Sequence, residues 1–134
     1  MLPFSLSLRA GVPVHEQVIY AVTRAVVSGQ LQAGDAFPSV RALSQALKIN
    51  PNTAHRIVAA LVDDGLLAVR PGIGTVVADG RPATPADRRQ ILDEQAERLV
   101  VAARRGEITL ADLLAAIRRQ WARTAGDDRP GEDR

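Results

Sequence analysis

From Asn50 to Ala78 the chain reads as one helix followed at once by one hairpin, and this succession limits its possible folds more than any other feature. Asn50 is a good helix N-cap, and Pro51 suits the first helical position, where no backbone N–H is needed. Ala54, Ile57, Val58 and Leu61 then recur at i, i+3, i+4 and i+7, the spacing of a buried helical stripe. At about 100° per residue, Asn52, His55, Arg56 and Ala59 gather on the opposite face. Asp63-Asp64-Gly65 ends the helix. Leu66 to Arg70 and Gly74 to Ala78 follow as two strands, joined by the turn Pro71-Gly72-Ile73-Gly74.

Upstream, Phe4, Leu6 and Leu8 alternate with serines and predict a short extended segment ending at Gly11. From Pro13 the pattern turns helical, with Val18, Ile19, Val22, Ala25 and Val26 on one stripe up to Gly29. Ala33-Gly34-Asp35 predicts a turn. Ser39 caps a second short helix whose buried stripe is Val40, Leu43 and Leu47, and only Lys48-Ile49 separates it from the third. Three short helices followed by a hairpin is the layout of a winged helix-turn-helix.

Composition shifts at Asp79-Gly80-Arg81-Pro82-Ala83. Beyond it, Thr84-Pro85-Ala86-Asp87 looks like a capping box that opens a helix. Leu92, Ala96, Leu99 and Ala103 give that helix a stripe, and Arg104-Arg105-Gly106 stops it. Thr109 to Asp112 repeats the capping arrangement before Leu110, Leu114, Ile117 and Trp121, with Leu113 widening the stripe. The predicted class is mainly α with a small β-hairpin. The predicted organisation is a winged helix-turn-helix over 1–80, a two-helix dimerisation region over 81–125 and a disordered tail over 126–134.

Composition excludes several functions. The 134 residues contain no cysteine, which removes disulfide frameworks, Cys-ligated metal sites and thiol catalysis. His15 and His55 are the only imidazoles, too few for a His-rich metal site. Phe4, Phe37, Tyr20 and Trp121 are too few aromatics for a protein that stacks single-stranded bases. No paired carboxylates, nucleophile–base arrangement or phosphate loop appears, so neither an enzyme nor a cofactor is expected. The longest apolar run, Ile57 to Val62, is far short of the ~20 residues of a membrane span. The start, MLPFSLSLR, lacks the pattern of a signal peptide, and the expected location is cytoplasmic. Net charge is only +2, so it is placement that must argue for nucleic acid.

Placement does so. A recognition helix offers its N-terminal turn to the major groove. There Asn52 suits adenine N6 and N7, Arg56 a guanine or a phosphate, and Thr53 a phosphate or thymine methyl. His55 shares this face, as base contact or as plain surface. Arg41, at the start of the second helix, could reach a phosphate or a neighbouring guanine. At the wing, Gly72 and Gly74 let the backbone approach the sugar–phosphate chain next to Thr75, while Arg70 and Arg81 could add charge near the minor groove. Asn50 and Pro51 carry mainly structural weight. His15 reads as a packing or surface residue rather than a ligand. Arg104-Arg105 and Arg118-Arg119 read as helix-end and surface charges.

The run from Gly29 to Leu43, GQLQAGDAFPSVRAL, resembles the signature of the GntR family of bacterial transcription regulators. Asn50-Pro51-Asn52-Thr53, Gly65-Leu66-Leu67 and Gly72-Ile73-Gly74-Thr75-Val76-Val77 fall where that pattern has its recognition-helix start, helix end and wing. The likeness covers roughly residues 12–78 and narrows to the YtrA-like branch, through the Asn-Pro-Asn-Thr start and the short C-terminal region. It implies a DNA-binding regulator whose two C-terminal helices dimerise, commonly a repressor of transporter operons of the ABC type. His15 stands where the family often has Tyr, and Ala36-Phe37 replaces the usual Leu before Pro-Ser. Pro51 stands where many other relatives have Arg, which shifts base reading toward His55 and Arg56.

Two C-terminal helices cannot bury both their stripes on each other, so a homodimer reading a palindromic stretch of double-stranded operator DNA is expected. Residues from Arg81 onward leave little room for a sensor domain. No small-molecule effector is indicated, although a cavity at the dimer interface could hold one. The rival reading is a winged-helix protein-interaction module that never touches DNA; it leaves Arg41, Asn52, Thr53 and Arg56 unexplained.

Overall fold

The computed structural model describes residues 2–80 and 83–124. They fall into two compact units that part at Gly80. Arg81 of the linker and the stretch read above as a tail, 126–134, lie outside the described residues.

The first unit contains α1 (Val14–Val27), α2 (Val40–Leu47), α3 (Pro51–Asp63), β1 (Leu67–Arg70) and β2 (Gly74–Val77). Both α1 and α2 pack on α3, which also meets β1. Val18 and Val22 of α1, Leu43 of α2, Ile57 and Leu61 of α3, and Leu67 and Val77 of the hairpin are all fully buried. Each is the residue that the helical or strand period turns inward. On α1 the stripe differs from the predicted one. Gln17 and Ala21 take buried places, while Ile19 and Val26 are half-buried at its flank.

Gln17 is buried because its carboxamide replaces backbone pairing for the N-terminal arm. It accepts from the Arg9 N–H at 2.8 Å and donates to the Arg9 carbonyl at 2.9 Å and the Val12 carbonyl at 2.8 Å. Among the described residues the arm belongs to neither strand of the sheet. Phe4 is buried, Leu6 half-buried and Leu8 exposed.

Asp35 N–H closes the expected turn on the Gln32 carbonyl at 3.0 Å. The residues around it also flank β2, which the sequence did not reveal. Gly34 N–H donates to the Val77 carbonyl, Val77 N–H to the Asp35 carbonyl and Phe37 N–H to the Thr75 carbonyl, at 2.8, 2.8 and 2.9 Å. Ala36 forms a single antiparallel bridge with Val76. On its other edge β2 pairs antiparallel with β1, from Leu67 opposite Val77 to Arg70 opposite Gly74.

The second unit contains α4 (Pro85–Arg89), a π-helical turn (Gln90–Gln95), α5 (Ala96–Arg105) and α6 (Leu110–Thr124). The capping box is present: Asp87 N–H donates to Thr84 Oγ1 at 3.1 Å, and Thr84 N–H to Asp87 Oδ2 at 2.9 Å. Thr109 Oγ1 likewise accepts from Asp112 N–H at 3.1 Å. The predicted uninterrupted α-helical spacing from Leu92 to Ala103 does not hold, because Ala96 N–H reaches back five residues to the Ile91 carbonyl. α5 stops at Arg105 with Gly106 as C-cap, and it is Glu107 that is left-handed, at φ 58°. Ala103 is the buried apolar residue here. Leu99, Val100, Leu114 and Ile117 are among the apolar side chains left exposed.

Candidate nucleic-acid interface

The third helix is held from behind and free in front. Ala54, Ile57, Val58 and Leu61 are buried, which turns Asn52, His55, Arg56 and Ala59 to solvent and leaves Thr53 half-buried. At its start, Asn50 Oδ1 accepts from the backbone N–H of Asn52 at 2.7 Å. The cap uses the main chain of Asn52, and the Asn52 side chain remains exposed. Asp63 and Asp64 close the helix, about 18 Å from its start at 1.5 Å per residue. The positive end of the helix dipole is thus at the turn that carries Asn52 and Thr53, and the acidic side chains are at the other end.

Ser44 ties the end of α2 to the turn that leads into α3. This buried hydroxyl donates to the Ile49 carbonyl at 2.9 Å, and Ile49 N–H returns to the Ser44 carbonyl at 3.1 Å. Lys48 sits between them in the left-handed conformation, at φ 56°. A serine inside an amphipathic helix reads as surface, so only the short turn that follows could have signalled its role. Arg41 is the second residue of α2. It is exposed, two residues beyond the Ser39 cap, whose Oγ accepts from Ala42 N–H at 3.1 Å.

The hairpin supplies the remaining candidates. Arg70 and Gly74 face each other at its end, and Ile73 N–H closes the turn on the Arg70 carbonyl at 3.0 Å. Pro71 and Gly72 hold the two central positions, and the φ of +77° at Gly72 is what a Pro-Gly turn requires. Thr75 is half-buried, its carbonyl already engaged by Phe37 N–H. Ile73, at the tip, is 73% exposed and was not singled out in the sequence. One large apolar residue between two turn glycines was the available signal.

Three polar side chains are brought together in one place. His15 and Ile19 of α1 and Thr53, Arg56 and Ala60 of α3 line a cleft of about 300 Å³ with no carboxylate in its wall. Positions i and i+4 of α1 thus meet i, i+3 and i+7 of α3. Thr53 and Arg56 were candidates from the sequence; His15 was not. Asn52 and His55 occupy the open face of α3, while Arg41 and the wing residues Arg70, Gly72, Gly74 and Thr75 stand on the neighbouring elements and line no part of this cleft. Among the described residues no three His, Asp or Glu side chains converge as metal ligands would. None of the described helices is long and apolar enough to cross a membrane.

Three helices with the third presented outward, followed by a hairpin wing, define a winged helix-turn-helix, here with further helices C-terminal to it. Residues 14–77 match the model of the bacterial regulatory proteins of the gntR family. Residues 14–77 thus form a helix-turn-helix domain of the GntR family of bacterial regulatory proteins. The chain is 27% identical over 106 residues to the HTH-type transcriptional repressor YtrA of Bacillus subtilis, spanning 78% of this chain and 82% of that one. Two solved structures from Listeria monocytogenes share the fold. One, a transcriptional antiterminator, superposes with a TM-score of 0.74 at 23% identity, over 93% of this chain and 94% of its own. The other, a GntR family transcriptional regulator, gives 0.63 at 21% identity, over 84% and 98%.

Proposed function

We propose that the chain acts as a homodimeric repressor that reads a palindromic operator and occludes a promoter. The observation that carries this is the outward face of α3, where Asn52, His55 and Arg56 stand exposed at the positive end of a helix that the core holds rigidly. In this reading Asn52, His55, Arg56 and Thr53 enter the major groove, with Arg41 beside them. Arg70, Gly72, Gly74 and Thr75 follow the backbone near the minor groove. Most affinity would come from phosphate contacts and fall steeply with salt. The repressor role is supported by the name of the Bacillus relative, and the operon of an ABC-type transporter by the resemblance to the YtrA-like branch. A regulator of this kind works where bacterial DNA lies, in the cytoplasm.

Residues 1–80 would read DNA and 81–125 would pair two copies. Support for pairing comes from the second unit, whose stripes are left exposed: Leu99, Val100, Leu114 and Ile117 have no core of their own. A second copy offers the same stripes in a self-complementary arrangement. No small-molecule effector enters this reading. Selection of bound fragments from random duplex DNA tests it directly. The expected product is a two-fold symmetric site, bound as a dimer and released by salt. A protein that retains no duplex at low salt would instead favour a winged-helix module that binds only other proteins.

A further inference from the structure

We propose that the cavity between the N-terminal arm and α1 binds a small organic anion, its charged group on Arg9 and Arg24 and its apolar body beside Tyr20.

The cavity holds about 650 Å³, within the range usual for sites that enclose a small molecule. Ser5, Ser7 and Arg9 of the arm line it, together with Glu16, Tyr20 and Arg24 of α1. These three residues of α1 stand four apart and so form one line along the helix. Glu16 and Tyr20 each follow, by one residue and hence by about 100° of turn, His15 and Ile19, which line the cleft with α3. The cavity therefore uses a different face of α1 from the one that adjoins the recognition helix. Gln17 lines it too, with a carboxamide already engaged by backbone groups of Arg9 and Val12. Arm and helix are thus bonded to each other, and a ligand need not spend affinity on ordering them.

Charge selects the occupant. Among the described residues, the guanidinium groups of Arg9 and Arg24 have no ion pair or hydrogen bond, although Glu16 lines the same cavity. Two cations against one carboxylate leave an excess of positive charge and free donors, the match for a carboxylate or a phosphate. A single carboxylate is a poor site for a metal cation, which takes several oxygen ligands. Tyr20 is 69% exposed, and it is the exposed aromatic ring of the first unit, since Phe4 and Phe37 are buried. Leu6, Val12 and Ala21 add apolar surface to the same lining. An inorganic ion would leave that surface wet, whereas an organic anion covers it. Such a site places small-molecule binding in the unit that carries α3, and not in the C-terminal helices.

The probes are naphthoate, naphthyl phosphate and uncharged naphthamide, titrated into the full chain without DNA at constant ionic strength. Amide NMR correlation spectra report where each one binds. At least one of the two anions should saturate with a Kd on the order of 1 mM or tighter, shifting amides within residues 5–24. The tighter of the two identifies the charged group as carboxylate or phosphate. Naphthamide should bind at least about fivefold more weakly, and Arg9→Gln and Arg24→Gln should each weaken the anion about three- to fivefold. Glu16→Gln should instead tighten it about twofold, by removing a like charge. Arg104→Gln, which removes a cation from the second unit, should leave it unchanged. Circular dichroism verifies that each variant is folded. Equal binding of amide and anion, or binding indifferent to both arginines, overturns the proposal. So does a lack of saturation by either anion up to about ten times the stated concentration. Loss of random-duplex affinity in Arg9→Gln and Arg24→Gln, with anion binding intact, would give these guanidinium groups to DNA phosphates and overturn it as well.

Discussion

The ring of Phe4 lies stacked on that of Phe37, centroids 5.9 Å apart and planes within 2° of parallel. Both rings are buried, and Phe37 N–H holds the α1–α2 connection to β2 through the Thr75 carbonyl. The N-terminal arm thus covers the point where the chain leaves the sheet edge and enters α2, the helix that carries Arg41. Phe4→Ala removes one ring and leaves the other facing a cavity. The expected loss is about 3 kcal/mol of unfolding free energy, measured by urea titration. A change under about 0.5 kcal/mol, the size usual for surface substitutions, would mean the arm contributes nothing to the core.

Gln17 holds the same arm by other means. Its amide meets three backbone groups of Arg9 and Val12. Gln17→Leu keeps most of the volume and strands those groups, so the arm should detach locally. Limited proteolysis is expected to cut within residues 5–12 much faster than in the unaltered chain, with global stability lowered by about 1–3 kcal/mol. Equal cleavage rates would show the arm to be held by Phe4 alone.

Much of the fold was legible because its signals are local. Asn50-Pro51, Ser39 and Thr84 each specify a cap within three residues, and the 3.6-residue period marks the inward face of α3 without further help. What escaped depends on partners distant in sequence. Ala36 pairs with Val76 across forty residues and for a single bridge, too short to leave an alternating pattern. Gln17 and Ser44 are polar residues buried by what they bond to, and a sequence does not reveal those bonds. The π turn escaped for another reason: one extra residue shifts the phase of the stripe, and Ile91 and Leu92 are equally apolar candidates for it. Of the site, the open face of α3 was readable from spacing. That His15 lines one cleft with Arg56 was not, since it arises from the packing of α1 on α3.

Gly74 tests the wing. Its φ is +113°, a conformation that residues with a Cβ rarely adopt, and an added Cβ would meet nothing within 4 Å. Any loss on substitution is therefore backbone strain and not crowding. Gly74→Ala should lower stability by about 1–2 kcal/mol. Ile73→Ala beside it, at an exposed tip, should leave stability within about 0.5 kcal/mol. Thermal unfolding of the two variants separates them. If both are neutral, the turn relaxes without strain.

Arg56 and His15 share one cleft, so their contributions to DNA binding should be coupled. Arg56→Ala is expected to relax base preference at one operator position at a loss of about 1–3 kcal/mol, if the guanidinium meets a guanine in bidentate fashion. His15 lines the same cleft from α1, and its effect is expected to pass through the position of the Arg56 side chain. His15→Ala should therefore weaken operator binding less than Arg56→Ala does. The double variant should lose less than the sum of the two, by at least about 0.5 kcal/mol. Fluorescence anisotropy with operator and with random duplex, at two salt concentrations, provides the four affinities of the cycle. Strict additivity would make His15 an independent contact or an idle one. Equal losses on operator and random DNA would reassign Arg56 from base reading to phosphate binding, with the reading of base sequence then falling to Asn52 and His55.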